Sequence, residues 1–178
     1  MVLDISLSMQ GDKFTNLKDA AGDFGDAVLT DSVKDKTAIS IIPFSTTVNV
    51  GDQYWEFVKS TNVDKDQDTN FSDGHYWLGC VELGDGDFDD SKPKSNSLYV
   101  MPTVYTFGAD TMCPSPDNEA LFLSNTASDL KGKISDMSLS YTTGLDIGAA
   151  IGLKALSPDM KGHLKGDMQS KHPAAYTD

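Results

Sequence analysis

The sequence contains no run approaching the roughly 18 apolar residues needed to cross a bilayer. Its N-terminus also lacks a basic region followed by an apolar stretch, so no secretory leader is read there. The segment is therefore expected to be soluble, with no membrane contact of its own. Positive charge is scarce: Lys and Arg total 14 against 27 Asp and Glu, a formal net charge of -13. Such a field repels phosphate backbones and excludes nucleic acid as the expected partner. The acidity itself reads as a solvated surface rather than a cation store. Catalytic signatures are missing too, since no Gly-x-Ser-x-Gly elbow, phosphate loop or dinucleotide fingerprint occurs. The three histidines, His75, His163 and His172, are far apart, and none has the i, i+4 partner of a helical zinc site. There are only two cysteines, Cys80 and Cys113, both in polar stretches rich in Gly, Asp and Pro. Inert buried thiols favour apolar neighbours. The pair is therefore expected to form a disulfide in an oxidising compartment, two free thiols being the alternative.

What is present points to a folded α/β chain. At 178 residues with 39% hydrophobic side chains, the length fits one domain with a sizeable core. An apolar strand, Met1-Val2-Leu3-Asp4, opens the chain at once, which reads as a domain cut from a longer protein. Phe14, Leu17, Ala21, Phe24 and Val28 then recur at helical spacing between about Lys13 and Leu29. Gly22 and Gly25 each weaken that helix by roughly 1 kcal/mol relative to Ala, so it needs a sheet to pack against. Thr37 to Phe44 is β-branched and apolar, as a buried strand requires. The three elements make a βαβ unit, for which a right-handed crossover is expected.

From Gly51 to about Ser115 the chain turns to Asp, Asn, Gly, Ser and aromatics with short apolar runs such as Ser97 to Val104. This is read as an irregular insertion, residues 51–115, with one or two short strands held by the cysteine pair. Thr126-Ala-Ser-Asp129 resembles a capping box opening a helix with Leu130, Ile134 and Met137 on one face. Ser140 to Thr143 reads as a loop, and Ile147 to Leu156 as a buried helix that stops before Pro158. From Asp159 to Asp178 no strand signal follows.

Asp4, Ser6 and Ser8 stand where a parallel strand ends and a helix follows, the place at which open α/β sheets hold ligands. One carboxylate and two hydroxyls there offer only oxygen, the donor that hard cations such as Mg²⁺ take. A loop with so little charge would leave the ion open to an incoming carboxylate. The plainer alternative is that Asp and Ser after a strand cap the next helix and form turns. Other acidic groups carry less. Asp64, Asp66 and Asp68 begin like a calcium loop, but Thr69 replaces its glycine and His75 its final glutamate. Asp85, Asp87, Asp89 and Asp90 read as a solvated turn.

Several segments in series resemble a known family. Val2 to Met9 (VLDISLSM) is similar to the first metal loop of von Willebrand factor A (vWA) domains. Ile41 to Gly51 (IIPFSTTVNVG), Gly79 to Glu82 (GCVE) and Thr142 to Pro158 (TTGLDIGAAIGLKALSP) look like the TadG-like proteins of Tad (Flp) pilus assembly. The resemblance implies a doubly wound, Rossmann-like and mostly parallel sheet carrying a metal-ion-dependent adhesion site (MIDAS). It also implies a periplasmic or extracellular location in the cell envelope, with a membrane anchor upstream. Asp4, Ser6 and Ser8 match the first-loop ligands, and Thr143 matches the second-loop threonine, with Thr142 the near alternative. The family's next element, a strand ending in an Asp-Gly loop, does not occur before Tyr176-Thr177-Asp178. Ile151 to Lys154 (IGLK) departs as well, where the family often shows tryptophans and an arginine. Residues 1–178 are therefore expected to form a single, C-terminally incomplete vWA-like domain.

The function expected on this basis is protein binding, not catalysis, through Mg²⁺ (or Mn²⁺ or Ca²⁺) bridging to an acidic residue of a protein partner. With Asp4 the single carboxylate of the matched set, these 178 residues alone are expected to hold the ion weakly or not at all, and a chain extended through the next strands to hold it. A metal-independent interaction module with the vWA shape is the alternative. A hydrolase or chelatase subunit using the ion as a Lewis acid is a third reading, weakened by the lack of a general base.

Overall fold

In the computed structural model, which describes residues 1–59, 77–95, 97–100 and 112–175, the opening βαβ unit forms as its apolar pattern requires. Strand β1 (Val2–Asp4) and strand β2 (Ile39–Phe44) run parallel, with Val2 opposite Ile42 and Asp4 opposite Phe44. Between them lies helix α1 (Asp12–Val28), whose first residue complements the positive helix N-terminus. Ala21 and Gly25 are its buried residues, and at Gly25 an added Cβ would stand 3.2 Å from Leu130 Cδ1. Phe14, Leu17, Ala21 and Val28 of the expected stripe face the core, whereas Phe24 is about half exposed and Gly25 is buried in its stead.

The third strand of this sheet is not legible in the sequence. Strand β5 (Leu121–Ser124) lies antiparallel to β2, Ile39 opposite Ser124 and Ile41 opposite Leu121, with an irregularity between the two pairs. Sheet order is β1-β2-β5, so the sheet is mixed, one parallel pair and one antiparallel, where a mostly parallel one was expected. Four residues are too few for a period to declare itself.

Helices cover both faces. Alternation along β2 sends Ile39 and Ile41 into one core with Leu3, Ile5, Ala21, Leu130, Ile134 and Met137. That core lies under α1 and helix α2 (Ala127–Asp136). Thr126 occupies the N-cap of α2 without a side-chain cap bond, and its hydroxyl turns to Asp167 Oδ2 at 3.3 Å, so the expected capping box is not made. Ile42 and Phe44 point the other way and join Phe122, Ile151, Ala155, Met160, Leu164 and Met168. Helix α3 (Leu145–Lys154) lies on this second face. Gly148 and Gly152 bring it close: added Cβ atoms would come 2.6 Å from Phe44 Cγ and 2.5 Å from Val2 Cγ2.

The described part of segment 51–115 holds a 3₁₀ helix (Gly51–Phe57) and one short antiparallel pair, β3 (Val81–Glu82) with β4 (Tyr99–Val100). It is not a satellite. Tyr54, Phe57, Val58, Trp77, Val81 and Leu98 enlarge the core around Phe44 and Phe122. Cys80 and Cys113 form a disulfide, Cα–Cα 5.7 Å, and both are buried despite their polar neighbours in sequence. The calcium-like Asp64–Asp68 stretch and the chain end at 176–178 lie outside the described residues. No helix among the described residues is long and apolar enough to cross a membrane.

Candidate functional site

Three loops meet at the C-terminal end of the parallel pair. The first leaves β1 at Asp4. Ile5 N donates to Phe44 O at 2.9 Å, and Ser6 N then donates to Asp4 Oδ1 at 2.8 Å. The Ser6 hydroxyl is buried and lies 2.9 Å from that of Ser8, which is exposed. A one-turn 3₁₀ helix (Leu7–Met9) follows before α1. The N-cap of α1 is Gly11, so none of Asp4, Ser6 and Ser8 caps that helix. Asp4 does close a local turn through its Oδ1, as the plainer alternative holds, while its second carboxylate oxygen makes no hydrogen bond with a described residue.

The second loop, between α2 and α3, is tied directly to the first. Ser140 N donates to Ile5 O at 2.7 Å and Leu7 N to Tyr141 O at 3.0 Å. Tyr141 holds φ 27°, left-handed backbone that costs a non-glycine residue on the order of 1 kcal/mol or more. The Asp4–Ser8 loop and the loop that carries Thr143 are thereby brought together.

The third loop, Ser45 to Thr47, leaves the end of β2. Thr46 Oγ1 lies 3.0 Å from Thr142 Oγ1 and accepts from Thr142 N at 3.4 Å. Gly144 N donates to Ser45 O, and a Cβ on Gly144 would collide with the Thr46 carbonyl oxygen. Of the two threonines matched to the second metal loop, Thr142 is thus tied back. Thr143 is exposed and its hydroxyl has no hydrogen bond to any described residue. Sequence reasoning missed Thr46. Its one visible signal is the run Ser45-Thr46-Thr47 directly after a buried strand. The flanking Ser45 and Thr47 hydroxyls are buried without a hydrogen-bond partner.

No known protein family, curated protein or solved structure matches the chain. The site is thus characterised by its own donors. Asp4, Ser6, Ser8 and Thr143 offer one carboxylate and three hydroxyls, which fits a hard divalent cation in donor type and supplies a single negative charge. Among the described residues no group of three or more His, Cys, Asp or Glu side chains is placed to hold a metal.

Elsewhere the expected bystanders have structural partners. His163 Nδ1 lies 2.9 Å from Glu56 Oε1, and His172 Nε2 lies 3.1 Å from Lys36 O; His75 is outside the described residues. Asp89 is more than a solvated turn, because it receives the buried Lys154. At the opposite end of the strands a groove of about 720 Å³ is lined by Met1, Phe24, Val28, Leu153, Leu156 and Pro173, with no chemistry-bearing cluster.

Proposed function

We propose that this chain is a metal-ion-dependent protein-binding domain of vWA type from a cell-envelope protein, acting in Tad/Flp pilus assembly or surface adhesion. The observation that carries the reading is the convergence of the Asp4–Ser8 loop with the Thr142–Gly144 loop, Thr142 tied back and the Thr143 hydroxyl open. A βαβ unit with helices on both sheet faces supports the doubly wound architecture, and the Cys80–Cys113 disulfide supports an oxidising location. A divalent ion bound there, Mg²⁺ first, with Mn²⁺ or Ca²⁺ as substitutes, supplies a charge bridge to a partner's Asp or Glu. Asp4 gives the charged ligand, and Ser6, Ser8 and Thr143 give neutral oxygens that leave the ion's charge only partly offset. The output is binding rather than turnover.

A second reading, a metal-independent interaction module, is favoured by the single carboxylate of the set. An NMR titration with MgCl₂ separates the two. Saturable shifts at the Ser6, Ser8 and Thr143 amides, lost in Asp4→Ala while the fold persists, are the expected result. A chain unresponsive to Mg²⁺, Mn²⁺ and Ca²⁺ would sink the metal reading and leave the metal-free module.

A further inference from the structure

The end of β2 bears on the site through Thr46. Its hydroxyl meets the second loop twice, at the Thr142 hydroxyl (3.0 Å) and at the Thr142 amide (3.4 Å). The adjoining carbonyl of Ser45 accepts from Gly144 N, on the far side of Thr143. Thr143 is therefore bracketed: the residue before it and the residue after it are both fastened to Ser45 and Thr46. These two residues follow directly from Phe44, which pairs with Asp4 in the sheet. The first-loop ligands and Thr143 thus share a single rigid reference, the β1–β2 pair.

We infer that Thr46 is a positioning residue for the cation site, its hydroxyl fixing Thr142 and so setting where the Thr143 hydroxyl stands relative to the Asp4 loop. This rests on the metal-binding reading above. Thr46 contributes no charge and is not assigned as a ligand. It acts as outer-shell groups do, by removing freedom from a residue that touches the ion. With a weakly charged donor set that pre-organisation matters more, because little electrostatic attraction is available to gather a loose loop around the ion.

The test compares wild type with Thr46→Val, Thr46→Ser and Thr142→Val. Two readouts are taken: hydrogen exchange of the Thr142 amide without metal, and the Mg²⁺ titration midpoint by NMR. Thr46→Val removes the acceptor, so the Thr142 amide is expected to exchange faster and the midpoint to rise by about tenfold to a hundredfold. Thr46→Ser retains the oxygen and restores both. Thr142→Val breaks the same hydroxyl contact from the other side without touching β2, and raises the midpoint while the chain melts as wild type. A Thr46→Val midpoint equal to wild type overturns the inference while leaving the metal site standing. A wild type without any Mg²⁺ response overturns the metal reading and this inference together.

Discussion

The Lys154 ammonium, on a residue with no solvent exposure, donates to the Ser91 carbonyl at 2.8 Å and to the Asp89 carbonyl at 3.2 Å. Its carboxylate partner, Asp89, stands 3.5 Å away and is largely exposed. The last turn of α3 thereby pins residues 89–91 onto the core. Lys154→Met keeps the length of the side chain and removes the buried charge, so it is expected to change stability by no more than about 1 kcal/mol. Residues 85–91 then exchange amide protons faster. Lys154→Glu places an unmatched charge in the same site and is expected to cost about 3 to 5 kcal/mol in urea denaturation. Equal stability of the two variants would refute this account.

Glycine-to-alanine substitutions are expected to have opposite signs at different positions. Gly22 and Gly132 lie inside helices with nothing within 4 Å of an added Cβ. Each change to Ala should stabilise by about 0.5 to 1 kcal/mol through helix propensity. At Gly144 the added methyl meets the Thr46 carbonyl oxygen, and at Gly148 it meets Phe44. There the same change is expected to cost about 1 to 3 kcal/mol. Thermal melts of the four variants check the ordering.

The disulfide closes a separation of 33 residues, for which the chain-entropy account gives about 4 kcal/mol. Cys80→Ser with Cys113→Ser should lower the urea midpoint accordingly, and reductant should have no further effect on that double variant. A wild-type midpoint unchanged by reductant under conditions that release both thiols would contradict it.

Glu119 carries a pH dependence whose sign follows from its surroundings. Burial holds its carboxyl above the usual range, Asp52 adds to this, and Lys133 opposes it. The folded state disfavours the charged form. Its penalty is therefore present above the folded pKa and absent below the ordinary carboxylate pKa. Glu119→Gln removes that penalty, so it should raise the melting temperature at neutral pH, with the gain shrinking as pH falls through the carboxylate range. A gain that grows toward acid would reverse the assignment.

Legibility varied with sequence distance. α1, β2 and α3 announce themselves through local apolar patterns, and β1, only three residues long, through its place directly ahead of the Asp4–Ser6–Ser8 motif. β5 is four residues long, and its assignment depends on a partner strand far upstream. The Asp4–Ser6–Ser8 motif is local and was visible, as was the Thr142–Thr143 pair. Thr46 was not, because its meaning lies in a contact across 96 residues of chain that no local pattern encodes. The cysteines show the limit of reading environment from neighbours: their polar surroundings in sequence point to a pair, yet the bridge is buried. Segment 51–115 carries the short strands and the cysteine bridge expected of it, but its share in the core is not legible locally. Its Tyr54, Phe57 and Trp77 are scattered in sequence, and only the fold gathers them into the core.

The antiparallel docking of β5 on β2 also governs how fast this chain reaches its native state. The contact between Leu123 N and the Ser40 hydroxyl joins residues 83 positions apart. Folding must close that long loop before the strand contributes anything, which slows the search relative to the local β1–α1–β2 unit. An oxidised Cys80–Cys113 pair, already closed over 33 residues inside the loop, shortens the path to be closed. Since each doubling of loop length costs only about 0.6 kcal/mol, the acceleration from oxidation is at most a few-fold. Chains released in reducing conditions should refold a little more slowly and spend longer with the β2 edge unpaired, the interval in which intermolecular strand pairing competes.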